Sequence, residues 1–152
     1  GCSGLSKVTL TDDITAIPND AFRGCTSLTS LDLRNMLTIG TYAFADSGLT
    51  TVNLPNAQTV GQNAFSGALA LTTVTVNADT IAKQAFLGCT ALETANLCVT
   101  TIGDSAFSGC TALSSVKFEN TEAHTLDSLG ASAFAETETE SPITNNCYIW
   151  TG

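Results

Sequence analysis

Apolar positions recur along this chain with a long period that neither an isolated helix nor an isolated strand produces. The pair Ala-Phe stands at Ala21-Phe22, Ala43-Phe44, Ala64-Phe65, Ala85-Phe86, Ala106-Phe107 and Ala133-Phe134, at intervals of 22, 21, 21, 21 and 27 residues. Four residues before each Ala sits an aliphatic side chain: Ile17, Ile39, Val60, Ile81, Ile102 and Leu129. Leu28, Leu49, Leu71, Leu92 and Leu113 follow the first five Phe residues. Then comes an apolar-x-apolar triplet: Leu31-Asp32-Leu33, Val52-Asn53-Leu54, Val74-Thr75-Val76, Ala95-Asn96-Leu97 and Val116-Lys117-Phe118. Several columns aligned in this way mark a structural repeat.

Each repeat reads as one coil of a solenoid. The triplet alternates with period two, which predicts a short strand with its outer residues inward and its middle residue outward. The Ile-x-x-x-Ala-Phe segment has the spacing of one helical or 3₁₀ turn. A single unit cannot bury its own apolar edge, so the units must stack. The expected fold is a right-handed solenoid of about six 21–23-residue units, with parallel strands about 4.8 Å apart and a length of roughly 25–30 Å. The Phe residues should line up along its convex edge. Gly1-Cys2-Ser3-Gly4-Leu5-Ser6-Lys7-Val8-Thr9-Leu10 matches Gly24-Cys25-Thr26-Ser27-Leu28-Thr29-Ser30-Leu31-Asp32-Leu33, so the chain is expected to open partway through a repeat, with at least half a repeat upstream. The single domain 1–152 then divides into a partial first repeat (1–10), regular repeats (11–118), and an irregular last repeat with a C-terminal cap (119–152).

The run Ile102-Gly103-Asp104-Ser105-Ala106-Phe107-Ser108-Gly109-Cys110-Thr111-Ala112-Leu113-Ser114-Ser115-Val116-Lys117-Phe118 closely resembles the consensus of BspA-like leucine-rich repeats. The resemblance covers about residues 1 to 135. The segment closing on Cys147-Tyr148-Ile149-Trp150 also looks like the family's ending, but lacks the proline and short helix that usually follow. This resemblance implies a surface or secreted protein of a host-associated bacterium or protist, with adhesion and host-protein binding as its activity.

Composition narrows the partners. Hydrophobic residues make up 43% and charged residues 12% of the chain, so it is not a disordered segment. The net charge is −9; residues 119–152 hold six acidic residues and neither Lys nor Arg. Binding nucleic acid needs basic side chains to replace phosphate counterions, and five scattered Lys and Arg residues cannot form such a patch. No apolar run is long enough to insert into a membrane as a helix.

Cys2, Cys25, Cys89 and Cys110 share one column with Ala68 and Ser47, which predicts a small buried site rather than a metal ladder. Cys98 follows a strand outside that column and is the expected exposed thiol; Cys147 is expected to be partly buried. His124, in the long insertion before the last unit, reads as a solvated loop residue, and nothing orients it toward Cys147 as a nucleophile–base pair would require. Glu136, Glu138 and Glu140 alternate with Thr137 and Thr139 but lack the Gly turn of a calcium loop. No cofactor, metal or catalytic residue is expected, because the chain carries no phosphate loop, nucleophile elbow or HExxH motif.

The outward strand positions remain as the candidate contact surface. The middle column reads Thr9, Asp32, Asn53, Thr75, Asn96 and Lys117, and beside it runs a column containing Thr51, Thr73 and Thr94. These short polar side chains cost little entropy to order and can hydrogen-bond a partner. Thr also simply favours strands, and the surface has no aromatic or Arg anchor at these positions. A non-catalytic protein-binding module using this concave face is the leading expectation, a structural spacer the second. A Thr-rich face that orders water or ice is a remote third, since Asp32, Glu93 and Lys117 interrupt the array. End-to-end self-association through an open coil edge is a further expectation.

Overall fold

The computed structural model describes residues 1–119, 121 and 124–138. The expected closing strand Cys147–Trp150, together with Cys147 and Glu140, lies outside these residues.

The chain is a parallel β-solenoid in which each inner coil contributes two strand segments and one cornering segment. The outward-middle triplets form β3 (Thr51–Leu54), the first half of β5 (Thr73–Ile81), the first half of β6 (Thr94–Ile102), and β7 (Ser115–Phe118). A second row consists of β1 (Ala16–Ile17), β2 (Thr38–Ile39), β4 (Thr59–Val60), the ends of β5 and β6, and β8 (Ser128–Leu129). All pairs are parallel and in register: Ile17, Ile39, Val60, Ile81, Ile102 and Leu129 pair successively along the second row. The aliphatic column therefore ends a strand instead of opening a helical turn. Its signature is the Thr-Ile alternation, Thr outward and Ile inward, at Thr38-Ile39 and Thr59-Val60. The first two triplets, at Val8–Leu10 and Leu31–Leu33, are not in assigned strands.

The corner differs from the expected helical turn. Among the described residues there is no α- or 3₁₀-helix; the Gly-x-x-Ala-Phe segment is a run of tight turns. Within one coil, Ala43 N–H donates to the Gly40 carbonyl, Ala45 N–H to Tyr42 and Ser47 N–H to Phe44. The N–H groups between them point to the next coil: Tyr42 to Gln62, Phe44 to Ala64 at 2.7 Å, and Asp46 to Ser66. The alternation depends on two left-handed residues per corner. The first is always non-glycine (Asp20, Tyr42, Asn63, Gln84, Ser105 and Ser132, φ 54–58°), and the second is Gly24, Asp46, Gly67, Gly88, Gly109 or Glu136. The physical reason is spacing. Strands stack about 4.8 Å apart, whereas a helix with side chains is about 10 Å wide. A corner that keeps pace with the strands must be flat and must spend half its donors on its neighbour.

Such close stacking leaves little room for side chains at the corner's entrance. A β-carbon on Gly40, Gly61 or Gly103 would come within 2.6, 2.7 or 2.5 Å of backbone atoms of the preceding coil. Glycine is used there for close approach, and at Gly88 and Gly109 for positive φ.

The core runs the length of the stack. Phe44, Phe65, Phe86 and Phe107 are fully buried, and the six rings from Phe22 to Phe134 form one continuous row. Successive centroids lie 5.2, 5.2, 5.1, 4.9 and 5.1 Å apart with interplanar angles of 12° or less, an offset-stacked arrangement. The small-residue column is also as expected in its inner part: Cys25, Ser47, Ala68, Cys89 and Cys110 are buried, while Cys2 on the first coil is exposed. The Cys89 thiol donates to the Phe65 carbonyl and the Cys110 thiol to Phe86, both at 3.1 Å. Contact with Cys110 and burial push the Cys89 thiol well above its ordinary pKa, so it stays neutral.

Ser47 breaks this scheme. Its hydroxyl is buried and has no hydrogen-bond partner, whereas Ala68 in the next coil needs none. Replacing Ser47 by Ala should therefore raise the unfolding free energy by about 1–2 kcal/mol, read as a higher urea midpoint at unchanged slope.

Candidate strand-face site

Pairing brings most of the predicted surface residues together. Asn53, Thr75, Asn96 and Lys117 are successive register partners, and Thr51, Thr73, Thr94 and Ser115 form the adjacent row. Asn53, Thr75 and Lys117 are exposed, Asn96 half-buried; its amide reaches Thr75 Oγ1 at 3.5 Å. Asp32 and Thr9 are exposed but lie in stretches without assigned strand pairing. The next column inward toward the corner is partly committed to the fold, since Thr50 Oγ1 donates to the Thr29 carbonyl and Thr72 Oγ1 to the Thr50 carbonyl.

From the sequence, Asp32 stands only as a charge that interrupts the Thr array. In the structure the guanidinium of Arg34, two residues on, holds its carboxylate through Nε at 3.0 and 2.8 Å and through an Nη2 contact. Hydrogen bonding from Arg34 lowers the Asp32 pKa, so this exposed pair stays ionised under mildly acidic conditions.

The largest change to the expected surface comes from the insertion. The chain leaves β7 in register, Glu119 N–H donating to the Leu97 carbonyl, and returns in register, Asp127 N–H donating to Thr100. Between these points Thr121 and His124 lie against the preceding coils. Thr121 and His124 exchange backbone hydrogen bonds, Thr121 Oγ1 lies 3.8 Å from Cys98 Sγ, and His124 Nε2 lies 3.0 Å from Asp79 Oδ1 in β5. Two expectations are corrected. Cys98 is buried, at 7% exposure, and Thr121 lies against its thiol. The His124 side chain is only 16% exposed and is bound to Asp79, not free in solvent. The signal for this was the 27-residue interval, six longer than the three 21-residue intervals before it, in a coil whose ends still had to pair. Glu136 and Glu138 are exposed, as expected of a solvated loop.

Between the loop and the strand face lies a groove of about 440 Å³, lined by Pro55, Thr75, Asn77, Asn96, Cys98, Lys117, Glu119 and Thr121 among others. Three of the predicted residues, Thr75, Asn96 and Lys117, line it. Asn53, Asp32, Thr9 and the Thr51-Thr73-Thr94 row lie outside it. Among the described residues no group of His, Cys, Asp or Glu is arranged to hold a metal ion, and no helix is long and apolar enough to cross a membrane.

The BspA-type leucine-rich-repeat pattern matches the chain in six copies, over residues 1–98 and 79–149. The chain belongs to the BspA-type leucine-rich-repeat family. No curated protein matches it. Among solved structures this BspA-type chain is similar to a leucine-rich cell surface protein from Faecalibacterium prausnitzii, with 26% identity and a TM-score of 0.63 over 76% of this chain. It spans only 32% of that protein. It also shares its fold with a leucine-rich-repeat protein of T. pallidum, at 22% identity and a TM-score of 0.59, covering 91% of this chain and 80% of the other. These relatives support the coil architecture independently of the Phe row.

Proposed function

We propose that this chain is a non-catalytic protein-binding or adhesion module of a cell-surface or secreted protein, with its partner held on the strand face. The observation that carries this reading is the in-register ladder Asn53, Thr75, Asn96 and Lys117, which presents amide, hydroxyl and amine groups from a fixed backbone beside a groove. Groups held on a rigid ladder lose little entropy when a partner docks. Similarity to a bacterial cell surface protein supports the location, and a BspA-type relationship fits a host extracellular protein as partner. The test is a pull-down from host extracellular protein with the chain and with a variant carrying Ala at Asp32, Asn53, Thr75 and Asn96. Retention should fall at least several-fold in the variant. Equal retention by both proteins places the contact elsewhere, and no retention by either favours a spacer role.

A further inference from the structure

We propose that the insertion after β7 turns the end of the strand face into a groove that reads charge on an extended polypeptide segment, one carrying an acidic and a basic residue two positions apart. The inference rests on the strand-face reading above and narrows its partner.

In the sequence repeat, Asp32 and Arg34 occupy the positions that Lys117 and Glu119 occupy four coils later, with the opposite order of sign. Asp32 and Arg34 satisfy each other. Lys117 and Glu119 line the groove, are both exposed, and have no ion-pair partner among the described residues. They are two residues apart at the end of a strand, so their side chains leave the same face about 7 Å apart. That is the separation at which an extended segment presents its own side chains i and i+2 on one face. A segment with one acid and one base at that spacing can meet both charges at once.

The rest of the lining suits a main chain. Asn77 and Asn96 each offer a carbonyl and an amide, and Thr75 and Thr121 each offer a hydroxyl, so together they can serve N–H and C=O groups in either orientation. Among the described residues no aromatic side chain lines the groove, so none of them gives a sugar ring a stacking surface there. The loop supplies the wall: Thr121 stands over Cys98, and the His124–Asp79 contact ties the loop to a strand two coils back. Asp79 is 65% exposed and makes no contribution to the core, so it anchors the wall without lining the groove.

The probe is a Gly/Ser peptide carrying Asp and Lys two positions apart, titrated into the isotope-labelled full chain and followed by amide chemical shifts. Controls carry two Lys, two Asp, or Asp and Lys adjacent. The mixed peptide at i, i+2 spacing should bind several-fold more tightly than each control, with shifts centred on Asn77, Asn96, Lys117 and Glu119. Lys117→Glu should switch the preference to the two-Lys peptide. Asp79→Ala should weaken the mixed peptide several-fold at unchanged melting temperature. Equal affinity for all four peptides, or Lys117→Glu without a change of preference, overturns the charge-reading assignment; undiminished binding by Asp79→Ala overturns the loop's role. Shifts centred on Asp32 and Asn53 overturn the groove assignment while leaving the strand face as the contact surface. Absence of any shift overturns the proposal, and the pull-down above then decides the wider reading by itself.

Discussion

Replacing Phe86 with Ala will cost this protein about 3–5 kcal/mol of stability. Phe86 is fully buried and stacks on Phe65 at 5.1 Å and on Phe107 at 4.9 Å, so both of its faces are covered by rings from neighbouring coils. Truncation removes the transfer free energy of the ring and leaves a hole that the coils cannot close, because their separation is fixed by strand pairing on the opposite side. Each stacked contact adds roughly 0.5–1.5 kcal/mol beyond area burial. For a chain of this size the melting temperature should fall by about 10 °C or more. Phe22→Ala should cost less, since Phe22 has a ring on one side alone and is half-buried. Calorimetry on both variants checks the ordering. If Phe22→Ala proves the more damaging, the ring row is not the spine of the core.

Gly48→Ala should destabilise by about 2–3 kcal/mol, for a different reason. A β-carbon there would overlap the Thr26 carbonyl oxygen and press on the Leu28 carbonyl at 3.3 Å. Both obstacles are backbone, so neither can swing away. Gly48 N–H also donates to the Cys25 carbonyl at 3.1 Å, which holds the two coils at that separation. Gly88→Ala is the informative companion: its β-carbon meets open space, but its φ of 69° is unfavourable for Ala, at a cost of about 1 kcal/mol. Urea unfolding of the two variants should rank Gly48→Ala as the weaker protein. The reverse order would mean that the coils are not packed as closely here as the structure shows.

Much of this architecture is readable from spacing alone. The Ala-Phe interval, the aliphatic column and the Leu column place the rings, the inward aliphatic residues and the inner wall in their observed register, because a repeat of constant length leaves only one way to stack; that the aliphatic column ends a second row of strands does not follow from it. The corner is harder to read. Ile-x-x-x-Ala-Phe has helical spacing, and what overrides it is a requirement between coils: every second N–H must reach the neighbour. Only the second left-handed column announces itself, through Gly24, Gly67, Gly88 and Gly109; the first is filled by Tyr42, Gln84 and Ser105, whose identities carry no such signal. The candidate surface divides in the same manner. Thr75, Asn96 and Lys117 follow from strand alternation, because period two fixes which side chains face out. Asn77, Glu119 and Thr121 do not, since their place in the groove depends on where the insertion folds. The insertion's length was visible, but not its direction. The expectations of a solvated His124 and an exposed Cys98 fail for that reason: His124 lies on Asp79, and Thr121 lies against the buried Cys98 thiol.

The backbone completes one coil about every 21 residues, and each coil lies directly on the next. Selective labelling of phenylalanine rings, with distances from nuclear Overhauser effects, tests this most directly. Ring-to-ring contacts are expected for Phe44 with Phe65, Phe65 with Phe86 and Phe86 with Phe107, and none between Phe44 and Phe86 or Phe65 and Phe107. Missing contacts between the neighbouring rings, or strong ones that skip a coil, would contradict it.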